Sequence, residues 1–186
     1  MTKGVAQATP FVLMAPITRS YDLSVSFFVF PNPVNEKAAR TVAAVVAATS
    51  ALVLVTGWWW LTVPLALGFL GRVLAGPRLS PLGWVAMRVV APRLGEPVLT
   101  PGPPKRFAQG IGAVVSTTAA VLSLGLGVTT AAAVLLGVLT IFALLESAAG
   151  FCAGCWAFGH LMRLGVIPEE TCEACADIRL RSRATV

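Results

Sequence analysis

Four cysteines, the only ones in the chain, stand in two Cys-x-x-Cys pairs near its end: Cys152 with Cys155, and Cys172 with Cys175. Sixteen residues separate the pairs, giving Cys-x2-Cys-x16-Cys-x2-Cys. That spacing falls inside the window of a four-thiolate zinc site, in which Cys152, Cys155, Cys172 and Cys175 would be the ligands and zinc the cofactor. An iron–sulfur cluster fits less well, because the ferredoxin spacings are absent. The same residues support a second chemistry. A Cys-x-x-Cys pair cycles between dithiol and disulfide when one thiol is acidified at a helix N-terminus. A break in the chain at Gly150 puts Cys152 at such a start, whereas an unbroken helix leaves both thiols ordinary. Small apolar cysteines also simply pack in cores, but two matched pairs argue against packing as the whole account. His160, the one histidine, is a substitute ligand or, more simply, an interfacial side chain.

Glu146 is the other residue suited to chemistry. A carboxylate inside an apolar run is costly and marks either a function or a partner. It precedes Cys152 by six residues, about 9 Å along a helix axis. The candidate roles are proton relay to a thiol and ion-pair partner of Arg72 or Arg106; the ion pair is favoured. No hydrolase triad, nucleophile elbow or phosphate loop accompanies these residues.

The elements that must position the thiols are those of a membrane protein. Of 186 residues, 56% are hydrophobic and 12% charged, against about 25% charged in a soluble domain. The net charge of +6 comes without a basic helix interleaved with aromatics, which excludes nucleic acid as the partner and fits a surplus of cytoplasmic cations. The apolar run from Pro10 to Ile17 is too short and too interrupted by proline to read as a signal peptide.

Residues 1–36 form an N-terminal surface segment, in which Leu23, Val25, Phe27 and Val29 alternate in the manner of a strand. Residues 37–149 form an all-α integral-membrane bundle of four spans, at about 38–56, 58–75, 108–125 and 130–149. Gly57 and the Trp58–Trp60 triplet make the first hairpin at one headgroup level, and Gly125–Gly127 makes the second. Arg72 snorkels to the headgroups. Ser80-Pro81 opens an amphipathic interfacial helix over 81–91, between spans two and three, with Leu82, Val85 and Val89 on one face. Residues 95–104 are irregular. In span three, Gly110, Gly112, Ala113, Ser116, Ala119 and Ala120 give the small-residue spacing of close helix contacts in lipid. Residues 150–186 are a cysteine-bearing tail. All fourteen Lys and Arg lie in the N-terminal segment with the start of span one, in the 72–106 region, or in the tail after residue 160, and the two hairpins carry none. The expected topology therefore has both termini cytoplasmic in a bacterial inner membrane.

Four motifs, in this order and spacing, resemble the bacterial membrane family catalogued as domain of unknown function 4395. They are Gly76-Pro77-Arg78-Leu79-Ser80-Pro81, Ala91-Pro92-Arg93-Leu94-Gly95, Pro104-Lys105-Arg106-Phe107-Ala108-Gln109 and Gly150-Phe151-Cys152-Ala153-Gly154-Cys155. The resemblance covers about residues 34–164 and leaves out Cys172, Cys175 and the first 30 residues. It implies association with thioredoxin- or rhodanese-like sulfur chemistry. Two functions follow as expectations. One is a membrane-anchored thiol–disulfide or sulfur-handling protein, with Cys152 and Cys155 exchanging with a thioredoxin- or rhodanese-like partner and Cys172/Cys175 resolving or relaying. The other is a non-enzymatic scaffold or subunit of a larger membrane complex, its four cysteines holding one zinc.

Overall fold

The structure, a computed structural model, describes Phe30, residues 32–168 and Thr171. The expected strand-like stretch Leu23–Val29 and both Cys172 and Cys175 lie outside the described residues. What is described is mostly helical.

Helix α1 (Glu36–Thr56) begins where Asn35 accepts a hydrogen bond from the Lys37 amide at 3.0 Å, an N-cap that satisfies one of the helix's free donors. It runs through Ala, Val and Leu to Gly57, and a short 3₁₀ turn (Trp59–Leu61) leads into α2 (Thr62–Ala75). Trp58 and Trp60 are exposed, while Trp59 packs against the core. Helix α3 (Pro81–Val85) starts as its sequence requires: Ser80 accepts from the Gly83 amide at 3.3 Å and Pro81 occupies the first turn. It continues as a π turn (Ala86–Val90) and a 3₁₀ turn (Ala91–Leu94). Its inner face differs from expectation. Gly83, Ala86 and Ala91 are buried, whereas Val85 is exposed. The π turn rotates the side chains past the even helical spacing, so small residues, not the Leu82–Val85–Val89 stripe, make the closest approach.

Strand β1 (Val34–Asn35) pairs antiparallel with β2 (Leu99–Thr100), which ties the end of the N-terminal segment to the loop before the next helix. That helix, α4 (Gly102–Ala120), starts six residues earlier than the expected 108. Pro103 and Pro104 fall in its first turn, where the missing N–H groups have no helical acceptor to lose. Lys105 and Arg106 thereby become helical residues instead of loop residues. Within α4, Gly112, Ala113, Ser116 and Ala119 are buried and Gly110 and Ala120 half-buried, much as the small-residue spacing predicts. A π turn (Val121–Gly125) ends α4, and α5 (Thr129–Ala149) and α6 (Ala153–Arg163) follow.

Helix α1 packs along α5, α2 along α4, and α6 lies against α4. The hydroxyls of Thr140 and Ser50 meet at 2.9 Å across the α1–α5 contact, Thr140 donating; such polar pairs join helices that lipid alone does not drive together. Three helices are long and apolar enough to cross a membrane, at Glu36–Thr56, Gly102–Gly125 and Thr129–Ala149, and Trp59–Ala75 is a shorter apolar helix.

Candidate functional site

The site is made by the way α5 stops. Gly150 adopts a left-handed conformation (φ 69°) and its amide reaches back to the Glu146 carbonyl at 3.0 Å. Two more carbonyls at this end, those of Ser147 and Ala148, accept from Arg40 Nε at 3.1 Å and Nη2 at 2.6 Å. The guanidinium belongs to the first turns of α1, so a cation of one helix closes the negative end of another. Two residues later Cys152 turns extended and becomes the N-cap of α6. Its sulfur accepts from the Cys155 amide at 3.4 Å, in the place usually held by a serine or aspartate oxygen. The expected break at Gly150 is therefore present, and with it the condition for an activated thiol.

The Ala153-Gly154 between the cysteines has a packing reason. A Cβ on Gly154 would come within 2.6 Å of the Ala108 Cα on α4. Only glycine lets α6 lie this close, and that closeness brings the thiols to the α4 residues. Phe107 and Phe158, ring centroids 5.6 Å apart, hold the same contact one turn further along.

Cys155 donates to the Cys152 sulfur at 2.8 Å. That hydrogen bond is the first cause of a lowered Cys152 pKa; the Lys105 cation and the Cys155 amide act in the same direction, against burial and the Glu146 charge. Cys155 is pushed far up, first by the hydrogen bond it gives, then by burial and by the neighbouring thiolate. The hydrogen bond thus makes Cys152, and not Cys155, the sulfur that ionises first. Cys152 is 8% exposed, and Cys155 is more open.

Behind the sulfurs is an ionic group that the sequence only partly foretells. Glu146 is an ion-pair partner, as favoured, but the cation differs. Lys105 Nζ lies 2.9 Å from Glu146 Oε1 and 3.4 Å from Glu36 Oε2, and is itself 5% exposed. Arg106 instead donates to the Val73 carbonyl at 3.0 Å. The early start of α4 explains the exchange: it turns Lys105 inward and Arg106 outward. Arg72 does not snorkel. It is 5% exposed, with Nε donating to Gln109 Oε1 at 2.8 Å, Nη1 to Ser80 Oγ at 3.4 Å, and its carbon over the Phe69 ring at 4.5 Å. Among the described residues its Nη2 has no hydrogen-bond partner. The available signal was Gln109, one polar residue on the apolar face of a neighbouring helix. His160 stays exposed, its ring 4.0 Å from that of Trp156.

Among the described residues, no group of three or more His, Cys, Asp or Glu is placed to hold a metal ion. No curated protein and no solved structure matches the chain significantly. Residues 34–163, which include every element of this site, match the family described as Domain of unknown function (DUF4395), and the chain belongs to that family.

Proposed function

We propose that this is a membrane-anchored thiol–disulfide protein whose working pair is Cys152 and Cys155. The observation that carries the reading is the N-cap sulfur: Cys152 opens α6 in hydrogen-bond contact with both the amide and the thiol of Cys155. A lowered thiol pKa makes Cys152 the better leaving group of a disulfide and Cys155, the more open sulfur, the one a partner attacks. A thioredoxin- or rhodanese-like partner thiolate attacks Cys155 of the oxidised pair, forms a mixed disulfide and expels the Cys152 thiolate. A second partner thiol then resolves it, leaving the pair reduced and the partner oxidised. Glu146 acts through Lys105, setting the charge felt by Cys152.

In this reading Trp59–Ala75 joins the three longer helices as a fourth span, residues 81–91 lie at the interface, and the thiols sit at the cytoplasmic face of a bacterial inner membrane. Both termini are on that side, as the placement of the cations asks. Residues 1–36 form a surface segment, 37–149 the bundle and 150–186 the cysteine tail.

The test uses the purified full chain. Diamide closes a Cys152–Cys155 disulfide, identified by peptide mass, that dithiothreitol reopens and Cys152→Ser abolishes. Failure to form that disulfide, or one zinc per chain that masks all four thiols until a chelator is added, overturns the proposal in favour of the zinc scaffold. Reporter fusions within Trp58–Trp60 that read as cytoplasmic would overturn the topology.

A further inference from the structure

Cys152 forms part of the wall of a cavity of about 470 Å³ bounded by α1, α2, α4, α5 and α6. That is the size of a small-molecule site, about 300–1,000 Å³. Apart from Arg72, Gln109, Glu146 and Cys152, every residue lining it is apolar or glycine. Its lining includes Ile111, Val138 and Phe142, large apolar side chains exposed on α4 and α5. Both helices are long and apolar enough to cross a membrane, so in a bilayer these side chains face acyl chains.

Two features define what enters. Arg72, 5% exposed, is the one cationic side chain in the lining, and its guanidinium is held in place by Gln109 and Ser80; a cation fixed in an apolar wall favours an occupant that carries a hydrogen-bond acceptor. Cys152, 8% exposed, is closed to a folded partner but lines the same space. A fatty acid would bring a second carboxylate beside Glu146 and has no capacity to take electrons. A neutral ring carbonyl accepts the Arg72 hydrogen bond without adding charge.

We infer that the cavity binds a membrane-soluble quinone, its ring beside the Cys152 sulfur and one carbonyl accepting from Arg72, and that this quinone oxidises the Cys152/Cys155 dithiol. The inference rests on the thiol–disulfide reading above and names its electron acceptor. The step balances. The Cys152 thiolate adds to a ring carbon, and the Cys155 sulfur then attacks Cys152, forming the S–S bond and breaking the S–C bond. The released electron pair stays on the ring. The Cys155 proton and one proton from the medium, equal to the one lost when Cys152 ionised, end on the two quinone oxygens, giving quinol. Electrons from a soluble dithiol thus enter at Cys155 and leave at Cys152 into lipid.

The probe is decylubiquinone, whose ring is fully substituted, added to the reduced full chain carrying Cys172→Ser and Cys175→Ser in lipid nanodiscs. One quinol forms per Cys152–Cys155 disulfide. The rate is divided by that of diamide, a soluble oxidant that needs no cavity. Val138→Trp at the cavity and Arg72→Gln at its polar group each lower this ratio at least about tenfold, equivalent to about 1.4 kcal/mol of barrier. If diamide closes the disulfide and decylubiquinone does not, or if neither substitution changes the ratio, the quinone inference falls and the thiol reading stands. If diamide fails as well, both fall.

Discussion

Two helices of this protein end the same way and lead to different things. Helices α1 and α5 each run 21 residues and each stops at a left-handed glycine, Gly57 at φ 70° and Gly150 at φ 69°. Around Gly57 there is nothing: a Cβ there would meet no atom within 4 Å, and the chain turns through exposed tryptophans. Around Gly150 the Arg40 guanidinium and the Glu36 carboxylate both come within 3.6 Å of where a Cβ would be. The local chemistry of stopping a helix is therefore shared, and what makes one end a site is the charge that other helices bring to it. Charge also distinguishes the two sides of the sequence, because both hairpins lack Lys and Arg entirely.

The largest way to break this difference is Lys105→Met. It leaves Glu36 and Glu146, largely buried, without the cation lying 3.4 and 2.9 Å away. Removing one partner of a buried ion pair costs about 3–5 kcal/mol, so a large fall in melting temperature is expected in detergent or nanodiscs. The substitution also removes a cation that favours the Cys152 thiolate, so alkylation of Cys152 near neutral pH slows. A charge-free change at the hairpin side, such as Thr129→Val, leaves both measurements nearly unchanged.

Gly154→Val comes next. Its Cβ would stand 2.5 Å from the Ala108 Cβ and 2.6 Å from its Cα, and forced overpacking of this kind costs about 1–3 kcal/mol. The expected result is a lower melting temperature together with a slower diamide closure of the pair, because α6 moves off α4. Gly137→Val is the contrast: with no atom within 4 Å, it carries only the modest propensity change of a helix residue.

What the sequence disclosed follows the same division. The apolar runs, the Ser80-Pro81 start and the break at Gly150 are signals written in neighbouring residues, and the structure carries all three. Three features were hidden because they depend on residues far apart. Pro103 and Pro104 read as loop, yet they sit in the first turn of α4 and so direct Lys105 inward. Arg72 has the length to snorkel, but Gln109, 37 residues away, and Ser80 hold it inside. Arg40 stands in an otherwise apolar run, and nothing near it in the sequence shows that it meets the Ser147 and Ala148 carbonyls of α5. The family resemblance, by contrast, was legible from four short motifs and covers the residues that the family match covers.

Replacing each stop glycine by alanine sharpens the comparison directly. Placing an L-residue in the left-handed region costs about 1–2 kcal/mol, so Gly57→Ala and Gly150→Ala are expected to lower stability by similar amounts. Their effects on the thiols differ. Gly150→Ala shifts the start of α6 and slows Cys152 alkylation, whereas Gly57→Ala leaves it unchanged. Equal loss of reactivity in both would mean that the thiols sense global stability and not the local stop.

The smallest expected effect is in the pH dependence of alkylation, and it tests how the charges around Cys152 act. The Cys152 thiol lies below its ordinary value, held down by the Cys155 hydrogen bond, Lys105 and the Cys155 amide and opposed by burial and Glu146. A depressed thiol pKa means that the thiolate is present at lower pH than in a free cysteine, about 8.5, and is lost as pH falls through the depressed value. The iodoacetamide rate at Cys152 is therefore expected to reach half its plateau at lower pH than that of an ordinary thiol, while Cys155, pushed up by the hydrogen bond it donates, stays unreactive there. Glu146→Gln removes a negative charge that opposes the thiolate, so the Cys152 midpoint moves to lower pH, opposite in sign to Lys105→Met. The same pair of measurements with a charge added at the other hairpin, Gly127→Lys, shows no shift of the midpoint, because that end lies most of a helix length from the sulfurs and its charge is screened. A midpoint that moved the same way in Glu146→Gln and Lys105→Met would show that these substitutions act through loss of packing and not through charge.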